Sequence, residues 1–388
     1  MSDDKIKIVF LGDITLGGEF LSHCEKHNLN HLFPFTLIKP LITDADILFL
    51  NLEGPINNGT EMSQGVSLPL SNSPEIINFL SDQKTTRVFN LANNHIMDYG
   101  YKGLESTQTL LSSNGIYHLG AGKNSYESNK PLVFECKDRR IAFLAYTINT
   151  PYIGAITADP NQPGCASFKD ISETTELISE LRKHVDIVCV SLHWGYEFFS
   201  YPSPEHMNIA HALVEAGAKY VIGHHTHSVQ GIESYKGSLI IYSLGNLFLP
   251  RLRLLTGRML RERKEFKEFI IVTSYVLDTK RDEHEVIAGK MDKDYMLVPY
   301  TDNQHDKILS LFEDELSKPL HHENYNAFWE PYKSNREKQL LKEDFYSAIA
   351  KALHMPLGEL LKTMTKDDFK RNMGRLLSFI KNKMGKNV

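Results

Sequence analysis

Six near-continuous apolar runs, at 6–11, 47–50, 88–91, 187–192, 220–222 and 239–244, punctuate the first 250 residues. Runs without polar alternation suit strands buried on both faces, as in a sheet covered by helices. Between them, helical spacing predicts helices over 74–81, 104–112, 171–183 and 205–216. Ser73-Pro74-Glu75 and Ser203-Pro204-Glu205 read as helix starts, with Ser as cap and Pro in the first turn. The alternation of the two patterns predicts βα units. Strand pairs 132–136 with 141–146 and 231–235 with 239–242 flank Lys137-Asp138-Arg139-Arg140 and Lys236-Gly237-Ser238, which read as hairpin turns, so the sheets should be mixed. Further strands are expected at 269–277, 285–287 and 295–298.

After residue 302 the pattern becomes polar, Lys- and Glu-rich and helical, giving an expected division into a catalytic domain at 1–300 and a mainly helical extension at 301–388. In its last stretch Phe369, Met373, Leu376, Leu377, Ile380 and Met384 recur at helical spacing opposite Lys and Arg positions, which suits a helix packed on the domain or lying on a membrane surface. At 388 residues, with 41% hydrophobic and 23% charged residues, the chain can bury a sizeable core. A net charge of −5 gives no overall pull toward nucleic acid, and none of the nucleic-acid-binding motifs occurs. Cys24, Cys136, Cys165 and Cys189 are scattered, without a Cys-x-x-Cys pair, which favours a reducing compartment over a disulfide scaffold. No stretch approaches the roughly 20 apolar residues of a membrane helix. The N-terminus runs directly into the first strand, without a signal-peptide pattern. The expected location is therefore the cytoplasm, with no integral membrane segment and an open oligomeric state.

Each of the principal apolar runs ends on a polar signature: Gly12-Asp13, Asn51-Leu52-Glu53, Asn93-Asn94-His95, His193-Trp194-Gly195, His224-His225-Thr226-His227 and Gly245-Asn246. In an open α/β sheet the carboxyl ends of the strands share one edge, where residues distant in sequence converge. Asp, Glu, Asn and His there suit a hydrolytic metal centre. Taken singly, Asp13 or Glu53 could equally cap a helix, and Asn93-Asn94 could be turn chemistry. Three imidazoles within four residues are harder to explain without partners. In an extended segment His225 and His227 point to one side and His224 to the other, favouring the first two as ligands and leaving His224 in support. Asp98 can accept the second N–H of His95, or simply begin the turn at Tyr99-Gly100.

The ordered set Leu11-Gly12-Asp13, Asn51-Leu52-Glu53-Gly54-Pro55, residues 91–100 around Asn94-His95, His193-Trp194-Gly195-Tyr196-Glu197, residues 222–227 and residues 242–246 resembles the CapA group of poly-γ-glutamate capsule biosynthesis proteins, within the metallo-dependent (calcineurin-like) phosphatase superfamily. The resemblance covers roughly residues 5 to 250 and implies a four-layered α/β/β/α sandwich, an α/β fold with mixed sheets. It further implies one ion on Glu53, Asn94, His193 and His225, and a second on Asp13, Glu53 and His227, with Glu53 bridging. The expected cofactor is thus one or two divalent metals, Mn, Fe or Zn, with His95 as general acid and Asp98 beside it. Two departures stand out: Thr15 occupies a position where the superfamily supplies a His, and the bridging residue is Glu rather than Asp. Capsule-system members commonly carry an N-terminal membrane anchor, whereas this chain starts at its first strand.

Asn93, His224, Glu197, Asn246, Arg251 and Arg253 are the candidates for contacting substrate. Arg251 and Arg253 open a basic segment that continues through Arg258, Arg261, Arg263, Lys264 and Lys267, which suits an anionic partner or a solvated face. The Pro- and Gly-containing stretch 149–169 is expected to form a lid or specificity loop. The leading expectation is a metal-dependent hydrolase acting on an anionic small molecule, a phosphoester, or a glutamyl-type peptide or polymer. The alternatives are a metal-independent acid/base enzyme that modifies a peptide, and a non-catalytic accessory that binds an anionic polymer or peptide.

Overall fold

The computed structural model describes residues 5–57, 59–64, 66, 68–81, 84–148, 150, 153–254, 267–276, 283–301, 320 and 324–352, with side chains through 341. The strands in chain order are β1 (Ile6–Ile14), β2 (Ile47–Leu52), β3 (Thr86–Asn90), β4 (Tyr117–Leu119), β5 (Ala121–Gly122), β6 (Leu132–Cys136), β7 (Arg139–Thr147) and β8 (Gly164–Cys165). They continue with β9 (Ile187–His193), β10 (Tyr220–His224), β11 (Ile232–Tyr235), β12 (Ser238–Ile241), β13 (Asn246–Phe248), β14 (Glu268–Val276), β15 (Glu283–Met291) and β16 (Leu297–Pro299). One sheet has the order β16-β15-β14-β1-β2-β3-β4, with β13 pairing β1; the other runs β11-β12-β10-β9-β7-β6. Both are mixed: β1 through β4 are parallel while β14 lies antiparallel to β1, and β7, β9, β10 and β12 are parallel while β6 and β11 are antiparallel edges.

Alternate residues of each central strand feed two different cores, which is why the runs carry no polar beat. From β1, Ile8 and Phe10 enter a cluster between the sheets with Phe49, Phe143, Tyr220 and Ile241. Val9 and Leu11 enter the outer cluster, against Phe20, Cys24, Ile42, Leu104 and Leu111 of the covering helices. Phe49 and Phe143, from facing sheets, stack with centroids 5.2 Å apart. The helices at Glu19–His27 and Gly100–Ser113 cover the first sheet, and those at Ile171–Leu181 and Pro204–Glu215 bury Ile178, Met207, Ala210 and Leu213. The result is the expected α/β/β/α sandwich.

Several local expectations change. The helix expected over 74–81 is a 3₁₀ turn at Pro74–Asn78: Arg87 takes the carbonyls of Ile77 and Phe79, and Leu80 turns left-handed at φ 48, so no α-helical ladder continues. Its Ser73 cap is present, accepting from Glu75 N–H, and Ser203 caps its helix on His206 N–H. Both hairpin connectors shorten to two left-handed residues, Lys137-Asp138 and Lys236-Gly237, the backbone signature of a type I′ turn. In the described part of the 149–169 stretch, expected as a lid or specificity loop, Ala158 N–H donates to Cys165 O at 2.9 Å, Ala166 N–H to Gly120 O at 2.8 Å, and Cys165 is fully buried.

The chain divides into two compact units, Met1–Tyr325 and Asn326–Val388. Tyr325 is bound within the first, its hydroxyl donating to Pro202 O at 2.9 Å. This break and the one expected at residue 300 differ by the stretch 301–325, most of which lies outside the described residues. The second unit contains the helix Tyr325–Ala352 except its first residue; the amphipathic stretch expected around Phe369 to Met384 lies outside the described residues. Among the described residues no helix is long and apolar enough to cross a membrane.

Gly223 marks the tightest strand contact: a Cβ there would lie 1.8 Å from Tyr242 O and 2.6 Å from Trp194 Nε1. Gly223→Ala is therefore expected to lower the unfolding free energy by about 2–3 kcal/mol, read from the urea midpoint at unchanged m-value. A loss below about 0.5 kcal/mol, the range of neutral surface changes, would contradict this packing.

Candidate metal centre

The polar signatures meet because the parallel ladders run on past the apolar runs. Asp13 stands opposite both Asn51 and Asn246, Asn51 opposite Asn90, and His193 opposite His224. The two Gly-polar signatures serve a close approach: Asp13 N–H donates to Gly245 O at 3.1 Å, and a Cβ on Gly12 would sit 2.2 Å from that oxygen.

Asp13 is 1% exposed and accepts three hydrogen bonds, from Asn51 Nδ2 (2.8 Å) and His224 Nδ1 (3.0 Å) on Oδ1 and from His225 N–H (3.1 Å) on Oδ2. Glu53 is fully buried, yet neither carboxylate oxygen has a hydrogen-bond partner; His227 Nε2 lies 3.9 Å from Oε1. One donor atom from each of Asp13, Glu53 and His227 falls within 4.8 Å of the others. His193 Nε2 lies 2.9 Å from Asn94 Oδ1, and its ring centroid is 4.7 Å from that of His225. Nδ1 of His193 and of His225 are buried without hydrogen-bond partners. Of the residues expected around the two ions, Asp13, Glu53 and His227 are thus brought together, and His193 meets Asn94 and His225, although not by the expected route. The chain is not extended beyond β10: His225 (φ 86) and His227 (φ 54) are left-handed, and this turn, not strand alternation, carries both rings to the centre.

Burial and neighbouring charges compete at each group. Burial raises the Asp13 carboxyl, but the His224 hydrogen bond and the His224, His193 and His227 charges outweigh it and hold the group below the usual carboxylate range. Burial and the neighbouring Asp13 charge push Glu53 well up. Burial drives His225 down to about 4 and, with the His225 charge, drives His193 well down. Neutral imidazoles have lone pairs to offer, and a buried carboxylate without a partner costs several kcal/mol. Oxygen and imidazole donors of this kind fit a divalent cation. His95 behaves differently: burial lowers it, but the Asp98 hydrogen bond and the Asp98 and Glu53 charges prevail and raise it. Its Nδ1 is 2.7 Å from Asp98 Oδ2, which also accepts from Leu70 N–H at 2.8 Å.

The substrate candidates are placed less uniformly. Asn93 is fully buried and spends its amide on the loops, accepting from Gly54 and His95 N–H and donating to Leu52 O and Asn51 Oδ1. His224 is fully buried behind Asp13. Asn246 Oδ1 accepts from His227 Nδ1 at 2.8 Å. These three brace the centre rather than line an open surface, because each is held within the packed strand ends. Arg253 forms an ion pair with Glu19, Arg251 is exposed, and Arg258 through Lys264 lie outside the described residues. Exposed Glu197 does reach the centre, beside His225 and His227. Thr15 is turned to the chain just after β2, donating from Oγ1 to Glu53 O at 3.1 Å.

Asn51, Asn72, Asn90 and Ser191 went unassigned in the sequence. Asn90 Nδ2 donates to Asn51 Oδ1 and Ser191 Oγ, and Asn51 passes the chain on to Asp13. Asn72 holds the carbonyls of Glu53 and Gly54. A polar residue inside an otherwise apolar run, as in Ile47–Leu52 or Ile187–His193, was the available signal, since it must find a buried partner.

The family model described as bacterial capsule synthesis protein matches residues 7–250. Over 247 residues the chain is 32% identical to the PGA biosynthesis protein CapA of Bacillus subtilis, covering 63% of each. It is 29% identical over 251 residues to the capsule biosynthesis protein CapA of Bacillus anthracis, covering 63% of this chain and 60% of that one. The chain spans about three fifths of the length of these curated relatives. Among solved structures, the NAD nucleotidase of Haemophilus influenzae aligns with 86% of this chain and 60% of its own, at 10% identity and a TM-score of 0.39.

His206 gives the site a measurable acid sensitivity. Its ring packs on Trp194 with centroids 5.0 Å apart, Nδ1 lies 2.7 Å from Ser203 Oγ, and burial, reinforced by the His225 charge, pushes it from 6.5 down to about 4. The folded state therefore binds fewer protons than the unfolded one between these values; stability is complete above pH 6.5 and falls as pH drops toward 4. His206→Asn is expected to flatten the pH dependence of unfolding free energy in this window by up to one proton, about 1.4 kcal/mol per pH unit. Parallel wild-type and variant curves from urea unfolding would contradict it.

Proposed function

The chain belongs to the bacterial capsule synthesis protein family, and from that premise we propose that it is a metal-dependent hydrolase acting on an anionic substrate, a phosphoester or a glutamyl-type amide. The observation that carries this reading is Glu53, a fully buried carboxylate with both oxygens unpartnered, facing Asp13 and His227. Glu53, Asn94, His193 and His225 would hold one ion, and Asp13, Glu53 and His227 the other. When bound, such ions polarise the scissile group and lower the pKa of a water molecule. The capsule and PGA biosynthesis named for the relatives supports the glutamyl-type substrate.

The chain's own residues supply the proton. Asp98 fixes the His95 ring through Nδ1, which leaves Nε2 as the atom that hands a proton to the departing oxygen or nitrogen. The Asp98 hydrogen bond and the Asp98 and Glu53 charges raise the His95 pKa against burial, which favours its protonated form. Asn93 sets the loop behind this pair by accepting from the His95 and Gly54 backbones. His224 and Asn51 fix Asp13, and Asn246 fixes His227. The family membership, rather than any single motif, supports a common site for all of these groups.

Two outcomes are expected. With Mn²⁺ or Zn²⁺ and either a dialkyl phosphodiester or γ-linked polyglutamate, whose leaving groups require a proton, His95→Ala lowers kcat by about 10²- to 10⁴-fold while metal content stays at the wild-type level. Unchanged turnover would remove His95 from the chemistry. In chelator-treated protein, Glu53→Gln raises the melting temperature, because a buried unpaired carboxylate is replaced by a neutral group, and it abolishes the stabilisation that added metal confers on the wild type. Metal-induced stabilisation persisting in Glu53→Gln would overturn the assignment of Glu53.

A further inference from the structure

Beyond His193 the chain reverses through Gly195 (φ 93) and Phe198 (φ 66). A left-handed backbone is costly for a residue as bulky as Phe198 and persists only where the surroundings enforce it. Here Phe198 N–H donates to Thr226 O at 2.7 Å, docking this turn onto the left-handed turn of His225 and His227. The two turns, one from each of two neighbouring strands, bring the exposed Glu197 carboxylate beside two buried imidazoles. One donor atom from each of Glu197, His225 and His227 lies within 4.8 Å of the others.

His227 also belongs to the triple with Asp13 and Glu53. It has one lone pair to give: Nδ1 sits 2.8 Å from Asn246 Oδ1, an acceptor, so Nδ1 carries the proton and Nε2 is the donor nitrogen. The Thr15 hydroxyl, committed to Glu53 O, adds nothing on the Asp13 side. His225 presents a buried Nδ1 without a hydrogen-bond partner. We propose that Glu197 is a further metal ligand, adding its carboxylate to a divalent first-row cation held through His225 or through His227 and closing the centre from the solvent side. This rests on the metal-centre reading above and extends it, because an exposed carboxylate on a turn can join or leave the cation where the buried Asp13 and Glu53 cannot.

The test uses the full chain, stripped with chelator, dialysed and titrated with Mn²⁺ while the EPR signal of the free ion is followed. Glu197→Gln is expected to weaken at least one equivalent of Mn²⁺ by about tenfold or more, with an unchanged melting temperature in chelator, and Glu197→Asp to recover part of the loss. Wild-type affinity and stoichiometry in Glu197→Gln overturn the proposal. If Glu53→Gln abolishes binding while Glu197→Gln leaves it intact, the ligand role of Glu197 falls and the centre stands; a wild-type chain that takes up no Mn²⁺ removes both.

Discussion

Asp13 ends a strand of the first sheet, yet two of its three hydrogen bonds come from the end of β10 in the second, through the His224 ring and the His225 backbone. A carboxylate with 1% exposure tolerates this position only if its charge is answered on both oxygens. Asn51 answers from the neighbouring strand, and the positive edge of His224 from across the interface between sheets. The carboxyl edges of the two sheets are thereby pinned at one point. The turn that follows must start from a backbone N–H aimed at Asp13, and the positions of His225 and His227 descend from that.

Around this satisfied carboxylate lies a set that is not satisfied. Glu53 is as deeply buried as Asp13 but has no hydrogen-bond donor on either oxygen, and three imidazole nitrogens of the cluster, His193 Nδ1, His224 Nε2 and His225 Nδ1, are likewise unpartnered. Folding energetics alone disfavour such a cluster, since each buried orphan carries the full cost of its lost hydration. The surrounding frame tolerates it because the apolar layer between the sheets is continuous immediately below, from Phe10 and Phe49 to Phe143 and Tyr220. Stability is supplied by that layer, and the strand ends are left free to serve a ligand.

The fold was legible because doubly covered strands leave a plain mark, an apolar run broken only at its end. The runs understated the strands, however: β1, β9 and β10 extend through Asp13, His193 and His224 because a parallel ladder needs backbone partners, not apolar side chains. The centre was legible in its members, less so in its wiring. Asn93 and Asn246 read as substrate contacts in the sequence, since an amide suits either a substrate or a loop; only the neighbours decide, and Gly54, Leu52 and His227 decide for bracing. Asn51 and Asn90 carry their signal differently, as polar residues set within strands that must find buried partners.

The His225 and His227 rings reach one place by a geometry other than the expected one. Strand alternation puts residues i and i+2 on one side, but the chain here is a left-handed turn. The difference matters because an extended segment would keep its side chains on the sheet face, whereas this turn lifts them over the strand ends and frees Thr226 O to receive Phe198 N–H. The loop after β9 is thereby drawn onto the turn after β10, and Glu197 comes with it. A site assembled from two interlocked turns has one deep wall of strand ends, fixed by Asp13, and one shallow wall of backbone held in uncommon conformations. The deep wall sets where charge is held, and the shallow wall is the part able to respond to what arrives from solvent.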